Sequence, residues 1–590
     1  MESVYFTKSI QLKDYPGVLA DRFIRNWLIG LRESNPAILD MFRERDRKPY
    51  RDMLPWSGEF AGKYLIGAYY IYRITKDEAL LAYIRTFLAE LISCIDEDGY
   101  IGCFQKECHL SGAYSQTPEI RGSTWDAWSH YYIMYGLYLW SELCDAQMLM
   151  TAVERIAGCF LRTFYNPSFR ILDMGSAEMN LAPLHIFVLL YKRTRNSAYL
   201  RFAEEMLADA ADPEGGNYIG HAMSGLEYYQ FPNARWEGLP AIRGIYALYE
   251  CTRNSLYKKS AEHIFYSIQR TDIHNTGGFS TNEQAVGTPY LNGVIELCSV
   301  IAYNAFACDV LACTGDPGIA DMLELSYYNA VLGSFSPSGK WCTYNTPMEG
   351  VKLSSSQSLV FQCRPGSPDL NSCSANAAQG IGMLSEWMVM QQEDTLYINY
   401  YGNYEAETLS GCRIAVTGDY LAGGEITVSV RDSAEKRLAF RIPSWADRTI
   451  VRYGDQEYVP AAGQYWFLSG GQPERTVRIS FGHTVRMVKG GGEYAGKYSL
   501  YYGPVLYGAD IACNQHVDFD KFPAVSQEDL TGRTPRQETD GRLLLKLGNG
   551  AVLCDFAHLG FTGSIYRTWF SIRKQKRRNE PSCLSAEKNS

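Results

Sequence analysis

Between residues 30 and 390, apolar side chains recur at three- and four-residue spacing. The clearest runs are 60–74, 79–95, 125–143, 184–191, 241–249 and 294–311. That spacing lines one face of an α-helix. A short polar mark separates the runs: Thr75-Lys76-Asp77, Thr194-Arg195-Asn196, Thr252-Arg253-Asn254 and Thr314-Gly315-Asp316, with Cys144-Asp145 in the equivalent place. Asp and Asn cap helix N-termini, because the side-chain oxygen takes a free backbone N–H of the first turn. Each mark therefore closes one helix and opens another. The marks at 77, 145, 196, 254 and 316 are 68, 51, 58 and 62 residues apart. A period of about 60 with two helices per unit predicts a helical-hairpin repeat. A sixth unit fits around residues 354–391. Six hairpins predict a closed toroid, an (α/α)6 barrel, with an open superhelix as the alternative. A closed ring has a funnel lined by inner-helix ends and loops, where chemistry is expected.

After residue 392 the period changes to two. Thr395 to Tyr401, Gly424 to Val430, Arg437 to Ile442 and Thr476 to Phe481 alternate and are rich in β-branched and aromatic residues, which predicts a β-sandwich. The expected organisation is an N-terminal segment (1–30) packing on the sandwich, a catalytic toroid (31–391), sandwich sheets (392–565), and a polar, basic tail (566–590) around the run Arg573 to Arg578.

Charge and composition narrow the partners. Lys+Arg 56 against Asp+Glu 65 gives −9 over 590 residues, so the basic field that nucleic acid needs is missing. No apolar run of about 18 residues predicts a membrane span. The first residues lack a charged-then-apolar leader, so the 16 cysteines are expected as free thiols in the cytoplasm. The 43 Tyr and 11 Trp suit stacking on sugar rings and equally suit packing between helices. A homodimer is left open.

Candidate chemistry concentrates between residues 275 and 379. Gly277-Gly278 before a polar run ending at Glu283 indicates a loop at a helix end. Glu296 and Cys298 lie two apart near a predicted helix start. Within a helix they would diverge by about 200°, so joint zinc ligation needs an irregular first turn. Alone, this pair is a weak signal and reads first as a first-turn Glu favoured by the helix dipole and a buried Cys.

These residues carry a resemblance. Gly277 to Glu283, Val294 to Val300, Tyr327 to Leu332, Tyr344 with Pro347, Ser372-Cys373-Ser374-Ala375-Asn376 with Gln379-Gly380, Phe440 to Trp445 and Tyr502 to Tyr507 together resemble glycoside hydrolase family 127, the β-L-arabinofuranosidase type with an (α/α)6 barrel and β-sandwich domains. The resemblance spans nearly the whole chain. It implies a zinc ion held by Glu296, Cys298 and Cys373, with a further cysteine just before the last that is also the nucleophile. Ser372 stands at that position. A hydroxyl without an adjacent base is a poor nucleophile and a poor zinc ligand, so Cys342 and Cys363 are candidate replacement thiolates. The resemblance also implies Glu283 (or Gln284, one residue on) as general acid/base and Tyr344 as a site tyrosine.

Trp125 and His130 open one predicted inner helix and Trp236 opens another; with Asn282 and Asn376 they are candidate sugar contacts. The expected activity is release of a terminal sugar, L-arabinofuranose by the resemblance, from a small oligosaccharide or glycoconjugate. The alternatives are another toroid enzyme (an inverting hydrolase, a lyase or an epimerase) and a sugar-binding relative without turnover.

Overall fold

The computed structural model describes residues 1–4, 10–113, 123–165, 169–362, 369–519 and 522–573. Six helices line a ring: Glu59–Thr75, Asp126–Trp140, Pro183–Thr194, Leu239–Thr252, Leu297–Thr314 and Ser372–Gly382. Each packs on the next and the sixth packs on the first. The ring closes, so the toroid stands and the open superhelix does not. Close approach between neighbouring inner helices depends on missing side chains. A Cβ at Gly62 would lie 2.3 Å from the carbonyl carbon of Tyr132 on the neighbouring helix.

The predicted marks are the turns between inner and outer helices. Lys76, Arg195, Arg253 and Gly315 end inner helices in the left-handed conformation. Asp77, Asn196, Asn254 and Asp316 then cap the outer helices, accepting from the N–H groups of Leu80, Ala198, Leu256 and Gly318. The preceding threonines donate to carbonyls four residues back, as Thr75 does to Ile71 and Thr252 to Leu248. Asp145 differs: it is itself left-handed, and its side chain makes no cap bond.

The sixth hairpin is not continuous. Ser372–Gly382 is followed only by the short helix Leu384–Trp387. The helix Tyr15–Phe23 packs against the first and sixth inner helices instead, so part of the N-terminal segment belongs to the toroid. Glu2–Ser3 and Gln11–Leu12 do join the β-sheets, pairing with Val389–Gln392 and Tyr404–Glu407. Leu297–Thr314 is long and apolar enough by composition to cross a membrane, but it is an inner helix of the ring and 72% buried.

Three sheets follow among the described residues. A five-stranded sheet and a seven-stranded sheet share one core with the toroid through Ile414, Val416, Val428, Val430, Leu438 and Phe440. The alternation predicted there is observed, with Ile426–Arg431 buried at every second position. An eight-stranded sheet has its own core around Leu500, Tyr507, Leu545 and Leu553. Tyr566–Arg567 and Phe570–Ser571, within the span expected as tail, are strands of this sheet. The basic run beyond Arg573 lies outside the described residues.

Candidate active site

One end of the ring gathers the N-termini of inner helices. Glu296 is the N-cap of Leu297–Thr314 and is extended, with φ −74° and ψ 136°. Cys298 sits in the first turn. The irregular turn that joint ligation required is thus present. Segment 343–346 runs antiparallel to residues 295–297, fixed by Leu297 N–H to Tyr344 O (3.0 Å) and Thr346 N–H to Ile295 O (3.1 Å). Ser372 and Cys373 open the last inner helix, capped by Asn371, whose side chain accepts from Ser374 N–H. Helix N-termini favour anionic side chains, thiolates included.

Cys373 Sγ lies 3.5 Å from Cys298 Sγ and 3.6 Å from a Glu296 carboxylate oxygen. All three ligand atoms fall within 4.8 Å of one another and all three residues are buried. Zinc–sulfur bonds of about 2.3 Å in tetrahedral geometry put two thiolates roughly 3.8 Å apart. Two thiols and a carboxylate at this spacing therefore fit that ion. Trp236 Nε1 donates to the other Glu296 oxygen at 2.9 Å. Burial and the neighbouring Cys298 push the Glu296 carboxyl well above its usual range. Burial also acts on the Cys298 thiol, but the hydrogen bond from Cys373 and the Lys63 ammonium outweigh it and bring the thiol down.

Lys63 is the residue that sequence reasoning missed. It is fully buried. Its Nζ donates to Ser372 Oγ at 2.8 Å and to Cys298 Sγ at 3.7 Å, and pairs with Glu59 at 2.9 Å. The rings of Tyr132, Trp236 and Trp128 surround it at 4.9, 5.3 and 5.7 Å. Burial alone would depress this amine, but Cys298 and Glu59 hold it above its ordinary value. The available signal was a Glu/Lys pair four apart at the head of an otherwise apolar helix.

Glu283 stands at the rim, with its side chain 35% exposed. Tyr344 OH donates to one carboxylate oxygen at 2.8 Å, and Arg235 Nη2 donates to the other at 2.7 Å. Ser280, Asn282 and Glu283 are all left-handed, with φ of 73°, 51° and 69°. Such positions cost on the order of 1–3 kcal/mol each and persist where surroundings impose them. Gly277 permits the loop's approach, since a Cβ there would meet Ser326 N at 2.6 Å. Arg235 also grips Glu237, with Nη2 2.5 Å and Nε 3.2 Å from its two oxygens. Burial raises the Glu237 carboxyl to about 7 even against that guanidinium.

The other sequence candidates fall in different places. Asn376 is buried and lines a cavity of about 20 Å³ with Tyr132, Arg243 and Gln379, and its Oδ1 has no partner among the described residues. Asn282 is exposed at the rim, with its Oδ1 taken by Val294 N–H. Trp125 is half-buried and packs on Trp56, ring centroids 4.9 Å apart. Trp236 is buried against Lys63 and Glu296, so it orients the cluster instead of forming an open platform. His130 spends both ring nitrogens inside the fold, on Asp126 O (2.7 Å) and Ile101 N–H (3.1 Å), leaving none for a sugar. Cys342 is outside the thiol cluster, and burial pushes it up to about 12. Cys363 lies outside the described residues.

A closed ring of helical hairpins followed by β-sheets, with carboxylates and thiols converging at inner-helix N-termini, defines an (α/α)6 toroid with an enzyme-like site. Residues 30–380 match the family model described as β-L-arabinofuranosidase, GH127 catalytic domain. That is more than half of the chain, and the chain belongs to this glycoside hydrolase family. No curated protein matches it. Among solved structures it resembles a GH127 β-L-arabinofuranosidase from Geobacillus stearothermophilus T6, with 14% identity, a TM-score of 0.74, and 96% of this chain and 100% of that one covered. It also resembles a GH127 β-arabinofuranosidase at 17% identity and a TM-score of 0.78, covering 97% and 98%. At these identities the likeness speaks to fold.

Proposed function

We propose that this glycoside hydrolase releases a terminal L-arabinofuranose from a small oligosaccharide or glycoconjugate. The observation that carries the proposal is the convergence of Glu283, held at the rim by Tyr344 and Arg235, with the buried Glu296–Cys298–Cys373 cluster and Ser372. Glu283 gives a proton to the glycosidic oxygen as the C–O bond breaks and the alcohol leaves; a water oxygen forms the new bond to the anomeric carbon, and the proton it sheds returns to Glu283. Tyr344 fixes the Glu283 carboxyl. Zinc on Glu296, Cys298 and Cys373 would supply Lewis acidity and hold both sulfurs ionised. Ser372 occupies the place facing the anomeric carbon, with Lys63 fixing its Oγ. Asn282 and Trp125 remain candidate sugar contacts around this centre, whereas Asn376 faces a cavity of about 20 Å³, too small for a sugar ring. We assign catalysis to the toroid, residues 31–391, and support to the sheets. Every cysteine among the described residues is a free thiol, which fits a cytoplasmic enzyme.

One observation favours a second reading, a sugar-binding relative without turnover: Ser372 Oγ faces an ammonium, not a base. Glu283→Gln separates the two. The hydrolase reading expects turnover to vanish with sugar affinity kept; unchanged turnover rejects the role of Glu283.

A further inference from the structure

A general acid must carry a proton, yet Glu283 accepts a hydrogen bond from a guanidinium at 2.7 Å. A cation beside a carboxyl opposes its protonation. The geometry points to a solution outside the family assignment: Glu237 is a positioning residue for Glu283, taking up the charge of Arg235 so that Glu283 can hold its proton. This inference rests on Glu283 being the acid of the proposed hydrolysis.

Three observations carry it. First, Arg235 grips Glu237 through Nη2 and Nε, whereas it reaches Glu283 only through Nη2. A two-point grip is the stronger and the more directional. Second, Glu237 is only 2% exposed, so water screens the Arg235–Glu237 attraction weakly. Third, the backbone locks the three groups together. Trp236 N–H donates to Glu283 O at 3.2 Å and Ala285 N–H to Ala234 O at 2.8 Å, and Arg235 bridges Gln284 as in a short antiparallel pair. Both carboxyls therefore converge on one guanidinium. Two carboxyls and one guanidinium carry a net charge of −1 when both are ionised, and one proton makes the unit neutral. Burial and an ionised Glu283 both raise the Glu237 carboxyl, so a proton on Glu283 removes one of the two causes and leaves Glu237 as the anion facing Arg235. That proton passes from Glu283 to the leaving oxygen, which departs as the alcohol, and the water that ends on the sugar returns a proton to Glu283. The other charged groups facing Glu237 are Glu283 itself and Glu296.

The test uses the full chain and aryl arabinofuranosides running from dinitrophenol to unsubstituted phenol as leaving group. A good leaving group departs without a proton, so loss of the acid matters little there. We expect Glu237→Gln to lower kcat by roughly 10²-fold for phenol and by less than about 3-fold for dinitrophenol, with KM nearly unchanged. The double variant Arg235→Met/Glu237→Gln removes the uncompensated cation and should recover most of the loss on phenol. A loss uniform across the series, or a double variant worse than the single, overturns the inference, because a merely structural pair behaves that way. If Glu283→Gln shows steep leaving-group dependence and Glu237→Gln none, Glu283 stands as the acid and only the role of Glu237 falls. If Glu283→Gln is itself flat, the proposed acid falls, and this inference with it.

Discussion

Lys63 Nζ donates a hydrogen bond to Ser372 Oγ across 2.8 Å, joining the first and last inner helices at the ring's seam. The same ammonium neutralises buried Glu59. Removing one member of a buried ion pair leaves the other charge uncompensated, which costs about 3–5 kcal/mol. Lys63→Met should lower unfolding stability by that amount in urea titration, and Lys63→Met/Glu59→Gln should recover a large part. Equal stability of wild type and single variant would show that the pair is not formed.

Ser372 tests how far the site has departed from a thiolate centre. Ser372→Cys places a third sulfur beside Cys298 and Cys373, at a position where Ser372 Oγ is now 3.4 Å from Cys298 Sγ. Arabinofuranosidase activity should rise by an order of magnitude or more. No gain in initial-rate assays would mean that the surrounding pocket does not present the anomeric carbon to this position.

The metal site makes a compositional prediction. Protein purified without chelator should hold close to one equivalent of zinc by elemental analysis, and Cys298→Ala should lose it. Wild type free of metal under those conditions would contradict the assignment of Glu296, Cys298 and Cys373 as ligands.

Asp14 supplies a pH prediction remote from the site. Burial raises its carboxyl to about 7, although Asn403 N–H and Tyr400 OH donate to it. The unfolded carboxyl titrates near 4. Between about pH 4 and pH 7 the folded chain therefore binds the extra proton, so this group's contribution to stability is complete below pH 4 and fades as pH rises toward 7. Asp14→Asn should flatten the stability-versus-pH curve in that window. An unchanged slope in thermal unfolding would reject the raised value.

What the sequence revealed followed the range of the interactions. Asp77, Asn196, Asn254 and Asp316 were legible because a cap bond is made within two or three residues of the cap. The Glu296/Cys298 pair was legible because its chemistry is rare and its spacing short. Lys63 was not, since Glu59 and Lys63 four apart read as a solvated pair on a helix; only ring closure puts them inside. His130 looked like a sugar grip, but its ring is spent on Asp126 and Ile101, a long-range fact for the second partner. The sixth outer helix escaped the repeat because Tyr15–Phe23, far away in sequence, fills its place. Glu237 sat beside a noticed tryptophan, yet its partnership with Glu283 spans 46 residues and forms through Arg235.

The most direct measurement of the central claim is initial-rate hydrolysis of a panel of aryl glycosides by the purified chain, with zinc added and after chelation. The account predicts phenol release from the β-L-arabinofuranoside, strongest with zinc and lost after chelation. Binding of arabinofuranosides with no hydrolysis of any panel member under either condition would contradict it.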